Sequence, residues 1–399
     1  METHFQTVTL LLLIAAIVAM FTRRLRLPYS VGLVTAGIAL AAMPFAPKVA
    51  LTKDLLFTVL LPPLLFEAAY SLDWGQLRRD LSLVTVLATL GVVLSGGLTA
   101  TGMHYLMGWP WIAALIFGAL IAATDPVSVI AAFKEARVQG RLRLLIESES
   151  LFNDGTAAVA FGVVLAVATG KPLGVAQISF LLVKSVAGGL ICGAAVALTA
   201  LVLVGRTTDH LIELTFTTVA AYGSFLLADR MGFSGVLATI AAGLVMGNCT
   251  WSGAISPHGK EAVQTFWEFA AFAANSLIFL LIGMHEALRG LLTIWAPAAA
   301  AIALVTMGRA AAIYPCCLLF AGSRLRVSAR HQHVLFWGGL RGALALALAL
   351  GLPPGLPLRG EIIAISFAVV AFSVFVQGLT MTPFLRWMGE IPRAAKENR

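Results

Sequence analysis

Charge is scarce in this chain. Of 399 residues only 12% are Asp, Glu, Lys or Arg, about half the share of a soluble globular domain, which carries roughly 25%. No hydrophilic segment is long enough to fold alone, which excludes an appended soluble domain and leaves one domain embedded in lipid. Cysteine is also sparse. Cys192, Cys249, Cys316 and Cys317 fall in or beside apolar stretches with no metal-ligand spacing, so neither a disulfide framework nor a metal centre is indicated, and packing explains the Cys316–Cys317 neighbours. The first 20 residues contain no basic residue, which argues against a cleaved signal. Histidines are few and mostly flank apolar spans. None lies in the same span as Ser150 or in one that plausibly faces it, so a nucleophile–base pair, and with it an intramembrane hydrolase, is not expected.

What remains is hydrophobic, at 59% of the residues and a mean hydropathy of +0.92. A helix crosses the bilayer with about 20 apolar residues, fewer if it is broken or short. Spans are read near 4–21, 30–46, 54–71, 82–107, 111–133, 143–169, 174–204, 210–229, 233–248, 262–285, 291–321, 332–351 and 361–387. Thirteen spans place the termini on opposite sides. With the N-terminus outside, the inside segments hold 18 of the 27 Lys and Arg residues and the outside segments hold 6. That asymmetry sets the orientation, with the C-terminus cytoplasmic. It also accounts for the net charge of +8 without nucleic acid as a partner. The expected location is the cytoplasmic membrane.

Against this background the buried polar residues stand out. Asp154 lies in ESLFNDG (residues 149–155) of the sixth span. A carboxylate at a helix centre costs about 2.5–3.5 kcal/mol on insertion scales, a cost that a water-filled cavity or a cation offsets. Asp125 lies in the fifth span between Thr124 and Pro126. Proline removes a backbone donor and disfavours helix in the residue before it, so this span should break. Free carbonyls at such a break can coordinate a cation, and unwound backbone is tolerated where it lines a cavity. Two buried acids, one beside a helix breaker, point to a path for cations or protons.

Helical geometry sorts the sixth span. Ser150 and Asp154 share one face; Glu149 and Asn153 share the neighbouring one. Glu149 and Asp154 point roughly 140° apart, so Asp154 is assigned to the cavity and Glu149 to the protein interior, where it needs a cation. Arg309, in the eleventh span, is the preferred partner and Arg341, in the twelfth, the competing one, because buried charges occur in pairs. Arg341 is flanked by Gly338, Gly339 and Gly342, which permit close packing or unwinding; alternatively it compensates carbonyl ends at a second helix break. The fifth and twelfth spans run in opposite directions, and broken helices so related mark a transporter built from inverted repeats. Glu67, in LPPLLFEAAY, either snorkels to water at the cytoplasmic end or forms part of the cavity wall. Glu213 and Glu268 are read as structural or helix-end residues.

Together LPPLLFEAAY, ATDPVSV, ESLFNDG, GRAAAIYP and GLRGALALAL closely resemble the bacterial NhaP and animal NHE sodium/proton exchangers over about residues 5–390. The resemblance implies an all-α polytopic membrane protein with about thirteen transmembrane helices and inverted repeats containing crossed, discontinuous helices. It implies a homodimer, with dimerisation helices at about 4–71 and 210–285 and core helices at about 82–169 and 291–387, the core rising and falling against the dimer unit. Asp154 would be the ion-binding and proton-exchanging acid, and Asp125, Ser150 and the Thr124 carbonyl would complete the monovalent-cation site. Glu67 would reach it through water. Glu149 and Arg309 would form a structural ion pair, and Arg341 a structural or gating contact. Asn153 before Asp154, instead of a second aspartate, implies electroneutral exchange. The substrates would be sodium or lithium and protons, with potassium/proton exchange the alternative; no cofactor is implied. Many relatives carry a long cytoplasmic tail, whereas this sequence ends about 12 residues past its last span, so regulation through such a tail is not expected.

Overall fold

The computed structural model describes residues 2–25, 27–43, 52–125, 127–135, 138, 140–170, 174–249, 254–287 and 295–391. Among them the regular structure is helical, apart from one antiparallel bridge between Asp125 and Leu340. Pro126, on which the expected break of the fifth span rests, lies outside the described residues, as do Arg26, Lys48, Arg137, Lys171, Arg289, Arg393, Lys396 and Arg399 of the charge pattern.

In chain order the helices are α1 (Glu2–Leu25), α2 (Tyr29–Ala41), α3 (Leu61–Ser71), α4 (Trp74–Met107), α5 (Trp111–Ile121), α6 (Val127–Glu135), α7 (Arg141–Ala168), α8 (Val175–Val204), α9 (His210–Arg230), α10 (Gly235–Asn248), α11 (Pro257–Ala287), α12 (Trp295–Leu318), α13 (Ala329–Trp337), α14 (Ala343–Leu350), α15 (Arg359–Phe372) and α16 (Leu379–Met388). A π-helical turn, Leu55–Leu60, leads into α3, and another, Ser373–Gly378, joins α15 to α16. Among the described residues eight helical segments are long and apolar enough to cross a membrane, and four shorter apolar ones accompany them. Each expected span coincides with a helix or an interrupted helix. The fifth is α5 followed by α6, the twelfth α13 followed by α14, and the last α15, π turn and α16.

Small residues let the helices approach closely. Gly96 of α4 faces the backbone of Gly118 in α5, and Gly308 of α12 lies on the Ser95 carbonyl of α4. A side chain at either position would meet backbone, which cannot move aside. In this way α4 packs along α5, α7 and α12. A second set forms where Gly37 of α2 meets Gly283 of α11, and where Gly243 and Gly247 of α10 rest on the backbone of α3. Without a hydrophobic force between helices in lipid, such close contacts supply much of the cohesion.

Arg141, at the start of α7, fastens one end of the first set. Its Nε and Nη2 donate to Asp80 Oδ1 at 2.9 and 2.7 Å. Nη1 donates to the Arg326 carbonyl at 2.8 Å, and Nη2 also to that of Leu325 at 2.8 Å. One guanidinium thus joins α4, α7 and the segment leading to α13.

Residues 123–125, after α5, and 339–342, between α13 and α14, lie outside any helix. The two breaks meet, and the Asp125 N–H donates to the Leu340 carbonyl at 2.7 Å. This bond satisfies backbone that no helix satisfies, an obligation that is strict at membrane depth. The crossing is tight enough that a Cβ on Gly342 would collide with the Asp125 side chain.

Candidate cation and proton site

The crossing lies against the middle of α7, where the side chains of Ser150 and Asn153 bond to Thr124. Ser150 Oγ donates to the Thr124 carbonyl, and Thr124 Oγ1 lies 3.4 Å from Ser150 Oγ. Asn153 is held from several directions. Its Oδ1 accepts from the Thr124 N–H at 3.1 Å, while Nδ2 donates to Thr124 Oγ1 at 2.5 Å and to Glu149 Oε1 at 2.9 Å. A side-chain amide, with a donor and an acceptor end, suits this place; a carboxylate would oppose Glu149. Thr124, Glu149, Ser150 and Asn153 are all buried.

Glu149 points away from the cavity face, as its helical position requires. Arg309 of α12 meets it with both terminal nitrogens, at 2.7 Å to Oε1 and 2.9 Å to Oε2. Nη2 also donates to the Leu335 carbonyl at 2.9 Å, near the end of α13. Gly339 allows this, since a Cβ there would strike the guanidinium. Of the two candidate partners for Glu149, the structure places Arg309 on it. Arg341 makes a different contact. Its Nη1 donates to the carbonyls of Ala122 and Ala123, at 2.6 and 3.0 Å. These groups lie at the C-terminal end of α5, where carbonyls lack helical partners and a cation is favoured. Arg341 therefore sits at the second break and compensates the first.

Asp154 is partly buried, and among the described residues no hydrogen bond is recorded to its carboxylate. The charged groups that bear on it are Asp125, Glu149 and Arg341. One turn farther along α7, on the face of Asp154, come Ala158, then Gly162 and Ala166. These small residues line a cavity of about 460 Å³ that also touches Lys53, Asp229 and Gly351. Room for a hydrated ion therefore begins one helical turn from Asp154, and Ser150, one turn before Asp154 on α7, brings its hydroxyl oxygen to the Thr124 carbonyl at the crossing. A hard monovalent cation favours such oxygen ligands over nitrogen or sulfur.

Glu67 is placed elsewhere. It is partly buried on α3, and the charges that bear on it are Lys134, Glu268 and Glu147 rather than the Asp154 group. Glu213 anchors the approach to α11, accepting from the Ser256 N–H at 3.0 Å and its hydroxyl at 3.1 Å. Glu268 accepts from Gln264, four residues before it, at 3.3 Å. Sequence reasoning missed the Ala122 and Ala123 carbonyls, the Leu340 carbonyl, and the packing of Gly342 on Asp125. Only the glycines around Arg341 signalled that something lay close.

The family model described as "Sodium/hydrogen exchanger, transmembrane" matches residues 10–387. The chain belongs to this family. It is 37% identical over 374 residues to the Na(+)/H(+) antiporter ApNhaP of Aphanothece halophytica, covering 92% of this chain and 70% of that one. It is 34% identical to the Na(+)/H(+) antiporter NhaP of Pseudomonas aeruginosa, covering 84% and 81%, and 32% identical to the Na(+)/H(+) antiporter NhaH of Halobacillus aidingensis, covering 96% and 98%. The structure of the sodium proton antiporter MjNhaP1 from Methanocaldococcus jannaschii superimposes with a TM-score of 0.76 at 19% identity, covering 96% of this chain and 98% of that one. The shared fold is that of a sodium/proton antiporter, and the protein is a multi-pass membrane protein of a transporter family.

Proposed function

We propose that this chain exchanges sodium or lithium for protons, with Asp154 as the group both ions compete for. The observation that carries the reading is the Asp154 carboxylate itself. It lies one turn after Ser150 on α7, feels the charges of Asp125 and Arg341 at the crossing of two broken helices, and no hydrogen bond from the described residues reaches it. A carboxylate so placed needs a counter-charge, and a proton and a cation are alternative ways to supply it. Binding one expels the other, and an empty, charged site is disfavoured during the passage across the membrane. Coupling follows from that exclusion. The names of the similar proteins, all sodium/proton antiporters, favour sodium over potassium.

Asp125, Ser150 and the Thr124 carbonyl complete the cation site in this reading, and Asn153 fixes the break that presents Thr124. Glu149 with Arg309 is a structural pair, and Arg341 holds the crossing. Glu67 attracts cations to the cytoplasmic mouth, in company with Glu147 and Glu268. The cavity beside Ala158 is the outer approach, with the N-terminus outside and the C-terminus cytoplasmic. Residues of about 4–71 and 210–285 form the dimerisation unit of a homodimer. Those of about 82–169 and 291–387 form the core that moves against it.

Proteoliposomes holding a pH-sensitive dye test the function. Addition of sodium or lithium to vesicles with an acidic lumen is expected to restore the dye signal, while choline does not. A response to potassium alone would make the chain a potassium/proton exchanger.

A further inference from the structure

Behind the crossing, away from the cavity beside Ala158, two arginines each keep one nitrogen unused. Arg309 commits both terminal nitrogens to Glu149 and Leu335, but its Nε is buried with no partner. Arg341 commits Nη1 to the carbonyls of Ala122 and Ala123, and its Nη2 is likewise buried and unpartnered. The two residues are 7% and 2% exposed. A buried donor without an acceptor costs about 1–3 kcal/mol, more when it is charged. Two in one place call for an explanation.

Both arginines line the same small cavity, whose other walls include Gly339, Ser373 and Gln377. Ser373 and Gln377 belong to the π-helical turn between α15 and α16 and are buried. No side-chain hydrogen bond to another described residue is recorded for either. A π turn is frequent at functional sites because it redirects side chains within an otherwise regular helix. The cavity holds about 10 Å³. One water needs about 10–15 Å³ by this kind of measure, together with two to four polar partners.

We propose that this cavity is a binding site for one ordered water. The water accepts from Arg309 Nε and Arg341 Nη2 through its two lone pairs. It donates its two protons to the Gln377 side-chain oxygen and the Ser373 hydroxyl. Every partner then has the complementary role, and both orphaned donors are satisfied. A small anion suits the site less well. Arg309 is already neutralised by Glu149, and Arg341 faces terminal carbonyls and the charge of Asp154, so little positive charge is left over. A halide is also larger than the space. The water joins the π turn to both arginines, so that solvent adds to the direct packing of α15 and α16 on the helices of the crossing.

The test is a cryo-EM map of the full-length protein in lipid nanodiscs, at a resolution that shows ordered water. One peak is expected within hydrogen-bond distance of Arg309 Nε, Arg341 Nη2 and the Gln377 side chain, unchanged between chloride, bromide and gluconate buffers. An empty cavity would overturn the proposal, and so would a peak that strengthens in bromide or vanishes in gluconate. In Gln377→Leu, which keeps bulk but removes the acceptor, the peak is expected to be lost while the Glu149–Arg309 contact remains. Its persistence would remove Gln377 from the site. If that variant does not fold, the wild-type maps in the three buffers decide alone. None of these outcomes depends on which ion is carried.

Discussion

Arg309 grips Glu149 through both carboxylate oxygens, at 2.7 and 2.9 Å, deep between α7 and α12. The contact bridges helices far apart in sequence and leaves neither charge alone in the membrane. Breaking a buried pair by removing one partner costs about 3–5 kcal/mol, because the other charge stays behind. Glu149→Ala and Arg309→Ala are each expected to lower the midpoint of thermal unfolding in detergent markedly. The double variant is expected to lose less than the sum of the two. Additive losses would separate the residues energetically despite their contact.

Gly342 packs directly against the Asp125 side chain. Gly342→Ala inserts a methyl group where the structure has the carboxylate. Overpacking of this kind costs about 1–3 kcal/mol, and here it also displaces a proposed cation ligand. Sodium-driven exchange is expected to fall at least about tenfold, since about 1.4 kcal/mol corresponds to one decade. Assays with Gly355→Ala provide the control, because that glycine has open space around it. Equal activity in both variants would show that the Asp125–Gly342 contact is immaterial to transport.

Arg341 supplies charged hydrogen bonds to Ala122 and Ala123. Bonds to charged groups are worth about 1.5–3 kcal/mol each. Arg341→Met, which keeps much of the length but none of the donors, is expected to lower thermal stability and reduce exchange. Arg341→Lys is expected to recover part of both, since one ammonium can still reach a carbonyl. Thermal melts and dye-based transport of the two variants, measured side by side, check this ordering.

In the proposed reading, equal exchange of proton for cation rests on Asn153. It cannot titrate, and both ends of its amide are already bonded to Thr124 and Glu149. With Glu149 held by Arg309, Asp154 is the proposed proton carrier on this stretch of α7, and one proton per cation is the expected outcome. Moving a net charge is worth about 2.3 kcal/mol per 100 mV, so an unequal exchange would respond to voltage. Rates are expected to be insensitive to a potassium potential clamped with valinomycin, once potassium transport has been checked. A sustained sodium-dependent current on a solid-supported membrane would identify Asp125 as a second proton carrier.

The spans were legible because a helix in lipid must be about 20 residues long and apolar, and the few exceptions inside them carry the chemistry. The Glu149–Arg309 contact was legible for a related reason: an unpaired charge in this setting is so costly that each had to find an opposite. The closure of the crossing was not. Asp125 N to Leu340 O and Arg341 to the Ala122 and Ala123 carbonyls are bonds to backbone, and alanine or leucine carries no mark of which carbonyl is used. The π turn at Ser373–Gly378 left no periodicity distinct from an apolar helix. The surroundings of Glu67 were equally hidden, because a lone carboxylate does not reveal which of many distant charges will face it.

The central claim is that sodium and the proton compete for the Asp154 carboxylate. Asp154→Asn keeps size and polarity but cannot exchange a proton. The decisive measurement is sodium-driven proton movement in proteoliposomes containing this variant, with its fold verified by thermal unfolding beside the wild type. The account predicts no exchange above that of empty vesicles while the melting transition remains cooperative. Substantial exchange by the well-folded variant would contradict it.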